Sequence, residues 1–244
     1  MNNRKKLEVC LTPALLNGFP ERDAVVVIID VFRATSSICA AFANGVSSII
    51  PVASTEEAEE YKRKGFLVAG ERDGIVLDFA DFGNSPYNFS PDLIAGKTVV
   101  YTTTNGTRTI QMASQFSRVL IGSFLNADAV VDYLNESDKD VLLLCAGWKD
   151  KFNLEDTVCA GYIATELIRS DSYTTVCDSA LASMDLWSIA GKDPRGYIEK
   201  AAHRARLRLK KLDDCIDFCL TRGVTDIIPE LKEGVLIAVA KQVV

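Results

Sequence analysis

AVVVIIDVFRATSSICAAFANG, residues 24–45, decides the fold. It opens with an unbroken apolar run, Ala24 to Ile29, in which Val and Ile follow one another without polar alternation. A run this short and this β-branched reads as a strand buried on both faces, the kind found in parallel sheets. Asp30 ends the run, a short polar turn follows, and Ser37-Ile-Cys-Ala-Ala-Phe-Ala-Asn-Gly45 has the composition of a helix. A buried strand feeding straight into a helix is the first half of a βαβ unit.

The same pattern recurs on either side. Strands are expected near 47–52, 66–71, 97–104, 118–123, 140–147, 174–179 and 235–240. Helices are expected at TEEAEEYKRKG (55–65), from Asn105, over 126–136, from Leu154 onward and over 203–220. Apolar strands alternating with helices predict an α/β fold: a largely parallel sheet with helices on both faces, in α/β/α layers. The 244 residues, 48% of them hydrophobic, suffice for one domain or two intimately packed halves. The longest stretch without periodicity is ERDGIVLDFADFGNSPYNFSPDLIAGK (71–97), and long irregular segments in compact domains are often functional loops.

A formal net charge of −6 argues against a nucleic-acid partner, which requires a basic surface. The seven cysteines are odd in number, scattered and without a Cys-x-x-Cys pair, which reads as reduced thiols in a cytoplasmic protein. No apolar run is long enough for a membrane span, and the basic MNNRKK start leads into no signal-peptide core.

In open parallel sheets ligands bind beyond the carboxyl ends of the strands, and the polar residues concentrate there. Asp30, Arg33, Thr35 and Ser36 follow the first strand. A helix start at Thr35 offers free N–H groups to an oxyanion, and Arg33 offers a planar bidentate donor. The competing reading is helix capping by Thr35 or Ser36, with Asp30 bonded to its own loop. Thr102-Thr-Thr-Asn105-Gly106-Thr107-Arg108 forms a second anion cradle or a capped helix start. In Cys145-Ala-Gly-Trp-Lys149-Asp-Lys151-Phe-Asn-Leu-Glu155-Asp156 the two acids fall in a first helical turn. They either complement the helix dipole or reach a metal. Glu71-Arg72 and the Asp81–Pro86 turn, with Ser85, complete the set. Several strand-end carboxylates beside anion donors point to a hard cation bridging carboxylates and phosphate, as Mg²⁺ does.

Exclusion narrows the chemistry. The only histidine, His203, lies in the basic run HRARLRLKK, read as a solvated helix face with apolar positions Ala205, Leu209, Leu212, Ile216 and Cys219. His203 is therefore expected at the surface or core edge, which disfavours a phosphohistidine. No Cys-x5-Arg loop, GxGxxG or Walker loop is present. Asp30 stands where haloacid-dehalogenase-type phosphatases carry their nucleophile, but Phe32 occupies the place of their second Asp.

Taken in order, Asp30-Val-Phe-Arg-Ala-Thr, Gly70-Glu-Arg72, Phe82-Gly-Asn-Ser-Pro86, Thr102-Thr-Thr-Asn-Gly-Thr107 and Cys145-Ala-Gly…Glu155-Asp156 resemble the 2-phosphosulfolactate phosphatase family, from about residue 7 to the C-terminus. The resemblance implies a single phosphatase domain over 1–244 that hydrolyses (2R)-O-phospho-3-sulfolactate to 3-sulfolactate and phosphate, a step of coenzyme M biosynthesis. It also implies Mg²⁺ dependence and a homodimer. Relatives occur in organisms not known to make coenzyme M, so the reaction class is firmer than the pathway. Asp30, Glu71, Glu155 and Asp156 are the candidate carboxylates around Mg²⁺, fewer than all four as direct ligands. Asp30, Arg33 and Glu155 are the candidate catalytic residues. Arg33, Thr35, Ser36, Ser85, Asn105, Gly106 and Thr107 are candidates for the phosphate, and Arg72, Arg108, Lys149 and Lys151 for the second anionic group. The nucleophile stays open between water and Asp30. The rival readings are a phosphatase of another small phosphorylated 2-hydroxy acid and a non-catalytic anion-binding regulator.

Overall fold

The computed structural model describes residues 4–239. Its strands are β1 (Lys5–Cys10), β2 (Val25–Ile29), β3 (Ser48–Pro51), β4 (Leu67–Arg72), β5 (Ile75–Val76), β6 (Thr98–Thr102), β7 (Arg118–Gly122), β8 (Val141–Cys145), β9 (Tyr173–Thr174), β10 (Pro229–Lys232) and β11 (Val235–Ala238). The helices are α1 (Ala34–Ala43), α2 (Thr55–Arg63), α3 (Pro91–Ile94), α4 (Gly106–Ala113), α5 (Ala127–Glu136), α6 (Leu154–Arg169), α7 (Asp178–Ala190), α8 (Pro194–Ile198), α9 (Ala202–Leu209) and α10 (Ile216–Cys219).

All strands join one mixed sheet in the order β5-β4-β6-β3-β11-β10-β7-β2-β8-β1-β9. Two parallel groups, β4-β6-β3 and β7-β2-β8-β1-β9, are linked by the antiparallel hairpin β10–β11. The hairpin touches each group through a single residue pair, Glu230 with Leu120 and Leu236 with Ile49.

Strand alternation assigns the layers. Val25, Val27 and Ile29 pack with Val130 and Leu134 of α5 and Ile163 and Leu167 of α6. Val26 and Ile28 point the other way, to Ile38 and Phe42 of α1 and Ile110 of α4. Every one of these β2 side chains is essentially inaccessible, and burying each contributes roughly 1.5–3 kcal/mol. The second core also takes in Ile49, Val99 and Tyr101 of the other parallel group. α2 covers that group's opposite face through Ala58 against Val68 and Val100.

The sheet is strongly curled. In a flat sheet, five strand spacings of roughly 4.8 Å would hold β2 about 24 Å from β6. Yet a methyl group added at Gly106, just after β6, would meet the Ala34 Cβ, just after β2, at 2.5 Å. The two parallel groups thus turn their carboxyl ends toward each other, and the loops that follow them share one cleft.

The structure departs from the expectations in several places, and α7 adds a helix that they did not include. β1 is a strand although its KKLEVC sequence looked merely basic. Its inward residues are apolar, and the Lys5 ammonium covers the Tyr173 ring at 4.2 Å and donates to the Leu134 carbonyl. β10, with Pro229 and two charges, gave no apolar signal. The strand expected over 174–179 shrinks to Tyr173–Thr174, because Cys177 already caps α7; the expected strand at 235–240 ends at Ala238, its last position lying outside the described residues. The helix expected over 203–220 is two helices, α9 and α10.

Candidate active site

The cleft lies at the carboxyl ends of β2, β4, β6 and β8, opens to solvent, and is walled on one side by α9. Asp30, Arg33, Glu71 and Asn105, all expected from the sequence, line it.

Asp30 sits at the base of the turn that leads from β2 into α1. Its amide donates to the Thr35 hydroxyl at 3.0 Å, while the Thr35 amide and hydroxyl both donate to its carbonyl at 2.9 Å. Ser36 donates to the Val31 carbonyl at 2.9 Å. These two hydroxyls close the turn rather than face the cleft. Asp30 is 6% exposed, and its carboxyl is pushed up to about 7. Burial is the main cause; the charges of Glu71 and Glu155 add to it, while His203 and the Ala34 amide oppose it.

Arg33 caps α1 and is 5% exposed. Among the described residues no carboxylate lies within ion-pair distance of its guanidinium. The other buried arginine, Arg204, is by contrast held by Glu199 at 3.1 Å and Asp213 at 2.8 Å. A buried cation without a counter-ion is costly, and Arg33 lines a cleft that an anion can enter.

Glu71 ties two loops together. Its carboxylate accepts from the Thr104 amide at 2.8 Å, the Thr104 hydroxyl at 3.1 Å and the Gly74 amide. Thr103 and Thr107 exchange hydrogen bonds at 3.1–3.2 Å, which locks the start of α4. Gly106 is forced by proximity: a Cβ there would lie 2.5 Å from Ala34 Cβ and 3.0 Å from Asp30 Oδ2.

The other candidates support the walls. Asp156 is fully buried, and its two oxygens accept from the Val31 amide at 2.9 Å and the Gly147 amide at 3.0 Å, stapling the β2 and β8 loops. Burial, then the charges of Asp30 and Glu155, push its carboxyl well up, against the pull of those amides. Arg72 spends its guanidinium on the carbonyls of Glu71 and Ala53 and the Thr102 hydroxyl. Lys149 pairs with Asp73 at 2.8 Å, and its amide donates to Asn105 Oδ1 at 3.0 Å. Arg108 pairs with Asp150, Lys151 is exposed, and the Ser85 amide donates to Asn88. Gly147 takes φ +62°, and a side chain there would strike the Lys151 carbonyl across the Trp148–Lys151 turn.

Helix α9 corrects the reading of the basic run. Its buried residues are His203, Arg204 and Leu207, whereas Leu209, expected on the apolar stripe, is 85% exposed. His203 is neither at the surface nor at the core edge. It is 6% exposed, lines the cleft, and its Nδ1 lies 2.6 Å from Glu155 Oε1. The Arg206 guanidinium stacks 4.7 Å over the Trp148 ring, its Nε buried without a hydrogen-bond partner among the described residues. Lys210, Asn84 and Thr103 also line the cleft. His203, Trp148 and Arg206 were not expected in the cleft because a helix rich in Arg and Lys looks solvated; the i, i+4 pair His203 and Leu207 was the weak signal available.

Carboxylates, the Arg33 guanidinium and the start of α4 at Asn105 converge on one small cleft. A family model described as 2-phosphosulpholactate phosphatase matches residues 10–234. The chain belongs to the 2-phosphosulfolactate phosphatase family. Relatives named "Probable 2-phosphosulfolactate phosphatase" include one from Thermotoga maritima, 41% identical over 212 residues covering 86% of this chain and 90% of the relative. Another, from Caldanaerobacter subterraneus subsp. tengcongensis, is 37% identical over 90% of this chain and 94% of its own length. A third, from Clostridium botulinum, is 32% identical over 92% and 95%. In this member of the 2-phosphosulfolactate phosphatase family, no helix among the described residues is long and apolar enough to cross a membrane, and all seven cysteines are free.

Among the described residues no three His, Cys, Asp or Glu side chains converge as a ready-made metal cluster. Asp30 and Glu71 reach the cleft wall, whereas Glu155 stands behind His203 and Asp156 behind the loop amides. The donor set nevertheless suits a hard cation. Mg²⁺ takes one or two carboxylates and fills its remaining positions with water and substrate oxygens. Burial raises Asp30 first, and the added repulsion from Glu71 and Glu155 is what a cation would relieve.

Proposed function

We propose that this protein hydrolyses (2R)-O-phospho-3-sulfolactate to 3-sulfolactate and phosphate with Mg²⁺. The observation that carries the reading is the buried Arg33, without a carboxylate partner among the described residues, beside the buried carboxyl of Asp30 in one cleft. The guanidinium fork binds the phosphoryl oxygens, and the start of α4 at Gly106 closes on them from the other side. Asp30 and Glu71 hold the metal, which when bound supplies charge neutralisation to the phosphoryl group. Water attacks phosphorus, since Phe32 replaces the second Asp that an aspartyl-phosphate route uses. Arg206 on α9 and Lys210, which caps that helix and donates to the Asp73 carbonyl, line the cleft as cations for the substrate's sulfonate and carboxylate.

Phospholactate and phosphoglycerate-like acids carry the same phosphate and carboxylate and form the alternative substrate class. In the same proposal the chain acts as a single phosphatase domain, built of two packed halves, in a cytoplasmic homodimer, and the sulfonate substrate places it in coenzyme M biosynthesis. Phosphate release from a panel of phosphorylated 2-hydroxy acids, with Mg²⁺ and with EDTA, tests the reading. Chelation should abolish turnover and Mg²⁺ restore it; full activity in metal-free buffer overturns the metal assignment, and no release from any member overturns the function.

A further inference from the structure

The single histidine is placed for a task that the carboxylates and arginines of the cleft do not perform. Expulsion of an alkoxide from a phosphate monoester leaves a strongly basic oxygen, so a proton delivered as the ester bond breaks lowers the barrier. His203 lines the cleft with Asp30 and Arg33. Its ring is held on three sides. Glu155 Oε1 engages Nδ1 at 2.6 Å, Phe32 packs edge-on with centroids 6.2 Å apart, and Trp148 lies against it at 5.2 Å. Glu155 is itself completely buried in the first turn of α6; among the described residues its second oxygen has no hydrogen-bond partner, so the imidazole is its one partner there. Engagement of Nδ1 by a carboxylate fixes the ring orientation and leaves Nε2 as the working nitrogen. Among the described residues Nε2 makes no hydrogen bond.

We infer that His203, oriented by Glu155, is the general acid that protonates the leaving oxygen of the substrate, an inference that rests on the phosphatase reading above. In this step the bond between phosphorus and the ester oxygen breaks, and its electron pair stays on that oxygen, which takes the Nε2 proton and departs as the alcohol. A new bond forms between phosphorus and the oxygen of the attacking water. The water's proton passes to solvent, from which Nε2 is reprotonated. His203 is the catalytic residue, and Glu155 is a positioning residue that acts through it rather than on the metal.

A sulfur-for-oxygen exchange at the bridging position tests the step, because a thiolate leaves near neutral pH without needing a proton. The full chain with Mg²⁺ is assayed on an O-phosphorylated 2-hydroxy acid that the wild type turns over, and on its bridging phosphorothiolate analogue. His203→Asn keeps an amide donor where Nδ1 meets Glu155 and removes the acid. It should lose about 10²–10⁴-fold in kcat on the oxygen ester, and no more than a few fold on the sulfur ester. Glu155→Gln should show the same contrast at smaller amplitude. A merely structural role for His203 would slow both esters equally, and that result, or undiminished turnover of the oxygen ester, overturns the inference alone. If His203→Asn fails to fold, His203→Gln is read by the same ratio. Absence of wild-type turnover on every oxygen ester overturns the phosphatase reading and this inference with it.

Discussion

Replacing Asp30 by Asn removes one negative charge from the most crowded part of the cleft while keeping the side chain's shape and its acceptor for the Ala34 amide. The Asp30 carboxyl is pushed up to about 7 in the fold, by burial first and by Glu71 and Glu155 next, against about 3.9 in an unfolded chain. Between these values the folded protein binds more protons than the unfolded one, so stability falls as pH rises. The contribution of Asp30 is fully present below pH 4 and lost by the time pH passes 7. Three pH units correspond to at most about 4 kcal/mol, since neighbouring carboxylates titrate together with it. For a chain of this length that is roughly 8–16 °C in melting temperature. Metal-free thermal melts of wild type and Asp30→Asn, recorded in EDTA from pH 4 to pH 8, give the difference directly. The two proteins should melt together at pH 4, and the variant should melt higher at pH 8 although it has lost turnover. Saturating Mg²⁺ should close the gap, because it stabilises only the protein that binds it. A variant less stable at pH 8, or a difference that does not change with pH, would refute the electrostatic account of Asp30.

Other substitutions separate binding from architecture. Arg33→Lys keeps the charge but loses the planar fork, so kcat/KM should fall well beyond tenfold at nearly unchanged melting temperature; an unchanged kcat/KM makes Arg33 structural. Gly106→Ala drives a methyl into Ala34 and toward Asp30, which should cost about 1–3 kcal/mol in denaturant unfolding and lower kcat more than tenfold. Asp156→Ala strands the Val31 and Gly147 amides and should destabilise the metal-free protein by about 2–4 kcal/mol. The Mg²⁺ concentration for half-maximal residual activity should not move in that variant, and an increase would return Asp156 to the metal.

Most of the strands and helices were legible in the chain because both signals are local. Val25–Ile29, Val99–Tyr101 and Val141–Cys145 are apolar runs buried on both faces, each stopping at a polar turn. The position of the cleft was legible too, since Asp30, Arg33, Glu71 and Asn105 all lie at or just beyond the ends of strands. What the tertiary structure decided was the direction each side chain takes. Asp156 and Glu155 are neighbours in one helical turn, yet one is claimed by amides of the β2 and β8 loops and the other by a histidine 48 residues away. No local pattern encodes those partners, because they meet only once the sheet has curled and α9 has settled over the cleft. The same packing makes His203 and Arg204 buried in a helix whose composition reads as solvated: a polar side chain can leave water when its partners are already in place, and those partners come from distant parts of the chain.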